Sequence, residues 1–153
     1  MPVHRLFISP KHGEAQIECQ RISIVAGEGI EGDRYFGRKE EPGQNVTLIE
    51  VEEIEAFIKA HKHAEALSST HRNILTRAVR LNELVGVEFY VGEVKLRGVE
   101  LCEPCLGMGQ ALATNELSAA AVVKHFVRRG GLRAEALSSG SITLGAAIAR
   151  TAA

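Results

Sequence analysis

The sequence predicts a mainly β protein with a few helices, folded as a closed or partly open β-barrel. Stretches of alternating apolar and polar residues recur along the chain, separated by Gly, Pro and Ser. Only two segments clearly have the apolar spacing of an amphipathic helix. Because neither a hairpin nor a lone sheet stabilises itself in water, many short strands favour a closed or nearly closed antiparallel arrangement.

Composition predicts one ordinary globular domain spanning residues 1–153. Hydrophobic residues make up 45% of the chain and charged residues 24%, and no stretch approaches the roughly 20 apolar residues of a membrane span. The N-terminus has no secretory signal pattern, so we expect a cytoplasmic protein without membrane contacts. Eighteen basic against 19 acidic residues argue against nucleic-acid binding. Three cysteines are too few for a disulfide framework, so we expect thiol or thiolate chemistry.

Predicted strands and helices follow from these patterns in order. A first hairpin is expected from VHRLFI and AQIECQRISIV, and residues 27–44 read as a long surface loop that could form the wall of a site. The predicted helices are EVEEIEAFIKAH, with apolar residues on one face, and LSAAAVVKHFVRR, with Ser118 as N-cap. The remaining predicted strands and turns are the strand NVTLIE, the strand HRNILTRAV, the helical turn LNELVG, the hairpin VEFYVGEVKLRGVELC, and a last hairpin through SSGS that pairs residues 132–136 with residues 142–144.

The cysteine pair of LCEPC, Cys102 and Cys105, allows four interpretations. A redox dithiol requires a helix after the first cysteine, and LGMGQALATN, with two glycines, shows no helical face. Structural zinc requires four ligands; His61 and His63 could complete a set, although histidines at a helix C-terminus are more often partners of the helix dipole. One or both thiols could be small buried hydrophobes. A thiolate could also ligate a soft transition metal.

Two polar segments could bind an anion. The glycine-rich loop around Asp33 and Arg34 could cradle one through its backbone amides, or the two side chains could simply form a surface ion pair. In HRNILTRAVR, strand geometry would place His71 and Asn73 on one face with Arg72 opposite. A guanidinium binds phosphate, and an Asn amide can hydrogen bond the edge of a pterin-like ring; the alternative is that these residues are solvated surface.

Taken in order, EGDRYFGR, QNVTLIE, HRNILTRAVRLNELVGVEFYVGEVKLRGVELCEPC and GGLRAEALSSGSITLG resemble a MOSC domain. This module is named for the C-terminal region of molybdenum cofactor sulfurases. The resemblance spans about residues 25–149. It implies a MOSC-type β-barrel fold, in agreement with the strand pattern, and a protein that binds the molybdenum cofactor, a molybdopterin whose dithiolene holds the metal.

The resemblance also implies roles for individual residues. Cys105 matches the cysteine that ligates molybdenum in related reductases, so it is the implied metal ligand and catalytic residue. Cys102 would then either lie just outside the metal's ligands or serve packing. The implied cofactor contacts are Thr47, His71, Arg72, Asn73, Asp33 and Arg34. His71 stands where the family usually has arginine, and Tyr35 stands where histidine is common.

The activity implied by the resemblance is reduction of a small N-hydroxylated compound, with electrons from a separate donor protein. The alternatives are a carrier of the cofactor or of sulfur, with a persulfide on Cys105, and a non-catalytic interaction module.

Overall fold

The structure is a computed structural model that describes residues 2–11, 14–38, 45–61, 70–104 and 106–151. Eleven strands, three α-helices and one 3-10 helix lie within these residues. The strands are β1 (Val3–Ile8), β2 (Ile17–Cys19), β3 (Arg21–Val25), β4 (Gly29–Ile30), β5 (Val46–Glu50), β6 (Ile74–Thr76), β7 (Glu88–Val91), β8 (Val94–Leu101), β9 (Leu132–Ala136), β10 (Gly140–Thr143) and β11 (Ile148–Arg150). The helices are α1 (Val51–His61), α2 (Leu106–Leu112), α3 (Ala119–Phe126) and the 3-10 helix Leu81–Leu84.

Two sheets form the body of the molecule. The larger has eight strands in the order β11-β7-β8-β9-β5-β6-β1-β2 and curls strongly into half a barrel. The smaller has three strands in the order β10-β3-β4. The prediction of a mainly β, partly open barrel with a few helices is therefore confirmed.

One pair of neighbouring strands departs from the predicted antiparallel arrangement. Strands β5 and β6 run parallel, with Leu48 opposite Ile74, and α1 lies between them in the chain. Parallel neighbours require a crossover connection, and α1 forms part of it. As predicted, Ile54 and Phe57 of this helix are buried, and its acidic residues lie at the start while Lys59 lies near the end, which favours the helix dipole.

Buried apolar side chains form two clusters. The larger includes residues of both sheets: Val3, Leu6, Ile22, Ile24, Ile30, Val46, Leu48, Ile74, Leu81, Leu84, Phe89, Val91, Val94, Leu96, Leu132, Ala134, Ala136 and Ile142. The smaller joins strands to the helices: Phe7, Ile49, Ile54, Phe57, Leu75, Met108, Leu112, Val122 and Phe126. Successive residues of β5 and β6 belong to opposite clusters, as Leu48 and Ile49 do, because side chains alternate across a strand.

The last predicted hairpin is wrong in its pairing, although both strands exist. Strand β9 pairs with β8 and β5, whereas β10 pairs with β3 in the other sheet. The serines of SSGS explain the separation. Ser138 Oγ accepts a hydrogen bond from Lys95 N at 2.8 Å, and Ser139 Oγ accepts one from Ala26 N at 2.8 Å. The connection is thus a corner between sheets. The second half of the first predicted hairpin also divides, since β2 pairs with β1 and β3 joins the smaller sheet.

Helix α2 was not predicted, because its two glycines were interpreted as helix breakers. Gly109 lies in α2 where a Cβ atom would be 2.7 Å from the carbonyl oxygen of Ala119 in α3. Glycine at this position permits close packing of the two helices, a tertiary role that the local pattern does not reveal. Helix α3 has the predicted N-cap, with Ser118 Oγ accepting from Ala121 N at 3.1 Å. It ends at Phe126, before the predicted end, and Arg128 adopts a φ of 60°.

Two further local predictions are corrected. Residues 71–73 lie outside any strand, and His71 has a φ of 61°, which interrupts an extended backbone. The expected alternation of His71 and Asn73 on one face with Arg72 opposite therefore does not apply. Within the predicted long loop, Gly29 and Ile30 form β4, and residues 39–44 lie outside the described part of the chain.

Candidate functional site

Three of the predicted cofactor-binding residues meet in one hydrogen-bond network. Asn73, just before β6, accepts at Oδ1 from both the backbone N (3.1 Å) and the Oγ1 (3.0 Å) of Thr47 on β5. Its Nδ2 donates to the carbonyl oxygen of Phe7 and to Asp33 Oδ1, each at 3.2 Å. An Asn side chain has two acceptor and two donor positions, so that of Asn73 is fully used.

Asp33 anchors the glycine-rich loop to this network. Its Oδ1 also accepts from Ser9 N at 2.8 Å, and its Oδ2 accepts from Tyr35 N at 3.3 Å. The side chain is buried, with 6% of its surface exposed. The network therefore joins β1, β5, the segment before β6 and the loop after β4. This geometry supports a role in holding these segments together.

Arg72 is a buried cation bonded to three backbone carbonyls. Its Nε donates to Gly130 O at 2.7 Å, its Nη1 to Thr70 O at 3.1 Å and its Nη2 to Cys102 O at 3.2 Å. Only 5% of the residue is exposed. No described carboxylate lies within ion-pair distance of its guanidinium. A buried charge without a counter-charge favours an anion nearby.

The segment 102–104 is attached to the turn at residues 128–131 by several contacts besides Arg72. Cys102 N donates to Gly131 O at 2.7 Å, and Arg128 N donates to a Glu103 carboxylate oxygen at 3.2 Å. A Cβ atom at Gly130 would lie 2.3 Å from Cys102 O, so the two backbones touch. The position of this segment is therefore determined by the tertiary structure.

Cys105, the predicted metal ligand, lies outside the described residues. Its described neighbours in the chain are Pro104 and the backbone of α2, which begins at Leu106. The proposed ligand role thus remains a prediction. His63, considered above as a zinc ligand, also lies outside the described residues. Within the described ranges, no group of three or more His, Cys, Asp or Glu side chains could hold a metal ion.

The other two predicted cofactor contacts, Arg34 and His71, lie next in the chain to residues already described, Asp33 and Arg72. Arg34 is half-buried, its guanidinium carbon lies 4.4 Å from the ring centroid of Tyr35, and its Nε is buried without a hydrogen-bond partner in the described structure. His71 is half-buried and lies between Thr70 and Arg72 in the chain. Arg34 therefore keeps an N–H donor that could bind an anion. The guanidinium of Arg72, in contrast, donates mainly to backbone carbonyls.

Sequence reasoning missed three polar residues that surround the network. Ser9 Oγ, Gln16 Oε1 and Thr70 Oγ1 are buried and have no hydrogen-bond partner among the described residues. All three residues also make contacts to the predicted site: Gln16 Nε2 donates to the Arg72 carbonyl at 2.9 Å, for example. A buried polar atom without a partner costs about 1–3 kcal/mol, and such atoms mark places where water or a ligand binds. No sequence pattern distinguishes these residues.

Comparisons with known proteins agree with this architecture. The family model described as MOSC domain matches residues 33–149, and the chain therefore belongs to the MOSC domain family. No curated protein matches it.

Solved structures share the fold at low sequence identity. The YuaD protein from Bacillus subtilis superimposes with a TM-score of 0.82 at 18% identity, covering 96% of this chain and 93% of that one. YiiM from Geobacillus stearothermophilus gives 0.73 at 10% identity, covering 99% and 75%. YiiM from Escherichia coli gives 0.68 at 14% identity, covering 100% and 71%.

None of the described helices is long and apolar enough to cross a membrane.

Proposed function

We propose that this protein binds the molybdenum cofactor and that the Cys105 thiolate coordinates its metal. Membership of the MOSC family, which is associated with molybdenum cofactor proteins, supports the proposal. The observation that carries it is the buried Arg72 guanidinium, which binds the backbone of Cys102 and has no described carboxylate partner. It brings positive charge to the segment that leads directly to Cys105, as an anionic pterin phosphate requires.

The residues present fit such a ligand. Ser9, Gln16 and Thr70 each keep a buried polar atom without a described partner, and Arg34 Nε is a further donor without one. These atoms could hydrogen bond a polar ligand with phosphate and amide-like groups. A soft thiolate is the type of protein ligand that molybdenum with sulfur donors accepts.

In this proposal the chain's own residues mainly position the cofactor and the thiolate. Arg72 and the close backbone contact at Gly130 fix the position of residues 102–104. Asn73 bonds Thr47 and so fixes the backbone against which the glycine-rich loop packs. Asp33 fixes the conformation of that loop through its hydrogen bonds, and so fixes the position of Arg34, the next residue in the loop. Arg34 and His71 remain the side chains proposed to approach the phosphate.

We propose that the reaction is reduction of an N-hydroxylated compound. When bound, the cofactor would supply oxygen-atom removal: the N–O bond breaks, and two electrons from a donor protein with two protons yield the amine and water. The chain's part is ligation by Cys105 and orientation of the substrate.

The test is expression in a host that makes the cofactor, followed by metal analysis and pterin fluorescence. We expect molybdenum and pterin to co-purify with the wild-type protein and with Cys19→Ala, and to be lost from Cys105→Ala. Substrate reduction is then measured with a chemically reduced dye as electron donor. Wild-type protein that contains neither molybdenum nor pterin would refute the proposal. Cyanide-labile sulfur on Cys105 without molybdenum would support the sulfur carrier instead.

A further inference from the structure

An open surface cavity lies between the end of α1 and helix α3. It has a volume of about 400 Å³ and is open to solvent. Its lining residues are His61, Ala121, Lys124, His125, Val127 and Arg129. None of them belongs to the predicted cofactor-binding set, and the volume is within the range of small-molecule sites.

Four of the six described lining residues of this cavity have basic side chains. Lys124, Arg129 and the two histidines line it, and no carboxylate does so among the described residues. Glu53 of α1 provides a counter-charge to one of them, since its Oε2 lies 3.5 Å from Arg129 Nε. This pair uses the Nε atom of Arg129, so the two terminal nitrogens of that guanidinium can act on a ligand together with Lys124 and the histidines. Such a set attracts a small anion.

The two imidazole rings are held in place by aromatic packing. The ring centroids of His61 and His125 are 5.4 Å apart, with the planes at 78°. Phe57 packs against both, at 5.0 Å from His61 and 5.2 Å from His125. His125 Nε2 is buried and has no hydrogen-bond partner within the described residues. Because this nitrogen is itself buried, His125 acts on a ligand in the open cavity through the charge of its protonated ring, whereas the exposed His61 can donate to the ligand directly.

The pKa of His125 depends on its burial and on the charges around it. Burial, then the charge of Arg129 and then that of His61 lower the pKa of His125, while its contact with the Glu53 backbone opposes this shift. The groups that face it are thus Glu53 and His61 from α1, and Lys124 and Arg129 from α3 and the following turn. A bound anion would offset the repulsion, so anion binding and protonation of His125 support each other.

We propose that this cavity is a binding site for a tetrahedral oxyanion of the phosphate or sulfate class, with Lys124, Arg129 and His61 as its donors and the His125 ring beside them. Charge-assisted hydrogen bonds from several cations suit an oxyanion. Ala121 and Val127 provide an apolar wall against which the organic part of an ester would pack. Two imidazoles alone do not form a metal site, in agreement with the lack of a three-ligand group in the described structure. The site is independent of the molybdenum cofactor.

Sulfate is the first probe, because its charge stays constant near neutral pH. Imidazole NMR signals of cofactor-free protein are recorded during titration with sodium sulfate, and with sodium chloride at matched ionic strength. We expect saturable shifts of His61 and His125 with sulfate only, with tighter binding at about pH 6 than at about pH 8. Lys124→Gln should weaken binding about tenfold, whereas Lys59→Gln, an exposed lysine of α1 outside the cavity, should not.

The two sources of the ligand are distinguished by a second titration. Phenyl phosphate binding more tightly than inorganic phosphate would identify an ester that uses the apolar wall, and equal affinities would identify the free anion. Sulfate shifts that follow ionic strength, or that are the same in Lys124→Gln and Lys59→Gln, would overturn the proposal. The outcome does not depend on Cys105 or on molybdenum.

Discussion

Replacing Arg72 with methionine tests whether this residue stabilises the fold or mainly binds phosphate. The guanidinium donates to the carbonyls of Thr70, Cys102 and Gly130, and methionine keeps the apolar stem but none of the donors. Leaving a carbonyl without its partner costs about 1 kcal/mol or more. Three such losses predict that Arg72→Met lowers the free energy of unfolding by about 3 kcal/mol.

The assay is urea unfolding of cofactor-free protein, followed by far-UV circular dichroism because the chain has no tryptophan. The matched control is Arg5→Met. Arg5 forms an exposed ion pair with Glu18 at 3.0 Å, so its replacement should cost less than about 1 kcal/mol. Arg72→Met protein as stable as Arg5→Met protein would refute the structural role, and loss of cofactor without loss of stability would assign Arg72 to the phosphate.

Three further predictions use the same described structure. Gly130→Ala places a Cβ atom 2.3 Å from Cys102 O and should lower the free energy of unfolding, measured in urea, by about 2 kcal/mol. In Gly140→Ala the new Cβ atom meets only a flexible glutamate side chain at 2.9 Å, so the free energy of unfolding should fall less. Equal losses in the two variants would contradict the backbone contact. Burial lowers the pKa of His125, so the unfolded chain binds more protons below about pH 6.5 and stability should fall as the pH drops from about 7.5 to about 5.5. His125→Gln should make that fall shallower, and an unchanged slope would contradict the assignment. Burial also raises the pKa of Cys19. At about pH 7 iodoacetamide should therefore label Cys19 more slowly than the cysteine of an unstructured peptide, as measured by mass spectrometry. Equal labelling rates would count against the burial effect.

Local patterns predicted those elements whose stability depends on neighbours in the sequence. Helix α1 has its apolar residues on one face and charges that match its dipole, and the β7–β8 hairpin has strict alternation with a turn at Gly92 and Glu93. The Ser118 cap depends on a hydrogen bond three residues away. These features were predicted because the interacting groups lie within a few residues of one another.

Contacts between distant residues explain the predictions that failed. Gly109 reads as a helix breaker in the sequence, and only the carbonyl of Ala119 in α3 shows why a glycine lies inside α2. The pairing of β10 with β3 joins residues more than a hundred positions apart, and the hydrogen bond from Ala26 to Ser139 supports it. Loop closure over such distances leaves no periodic signal in either segment.

The candidate site shows the same division. The resemblance to the MOSC family selected Thr47, Asn73 and Asp33, and the structure brings these three into one network. Their mutual hydrogen bonds support a positioning role, and direct contact with the cofactor stays a prediction. The cavity around His61 and His125 was not predicted, because its residues come from two helices far apart in the chain.

By itself, the sequence determined the mainly β class, the positions of most strands, helices α1 and α3, and the family. It could do so because alternation, helical spacing and caps are properties of neighbouring residues. Only the tertiary structure decided which strands pair, that Arg72 binds the backbone beneath the cysteine segment, and that four basic side chains surround one cavity. These arrangements depend on packing between segments that the chain keeps far apart, and the free energy that selects them arises only when those segments meet.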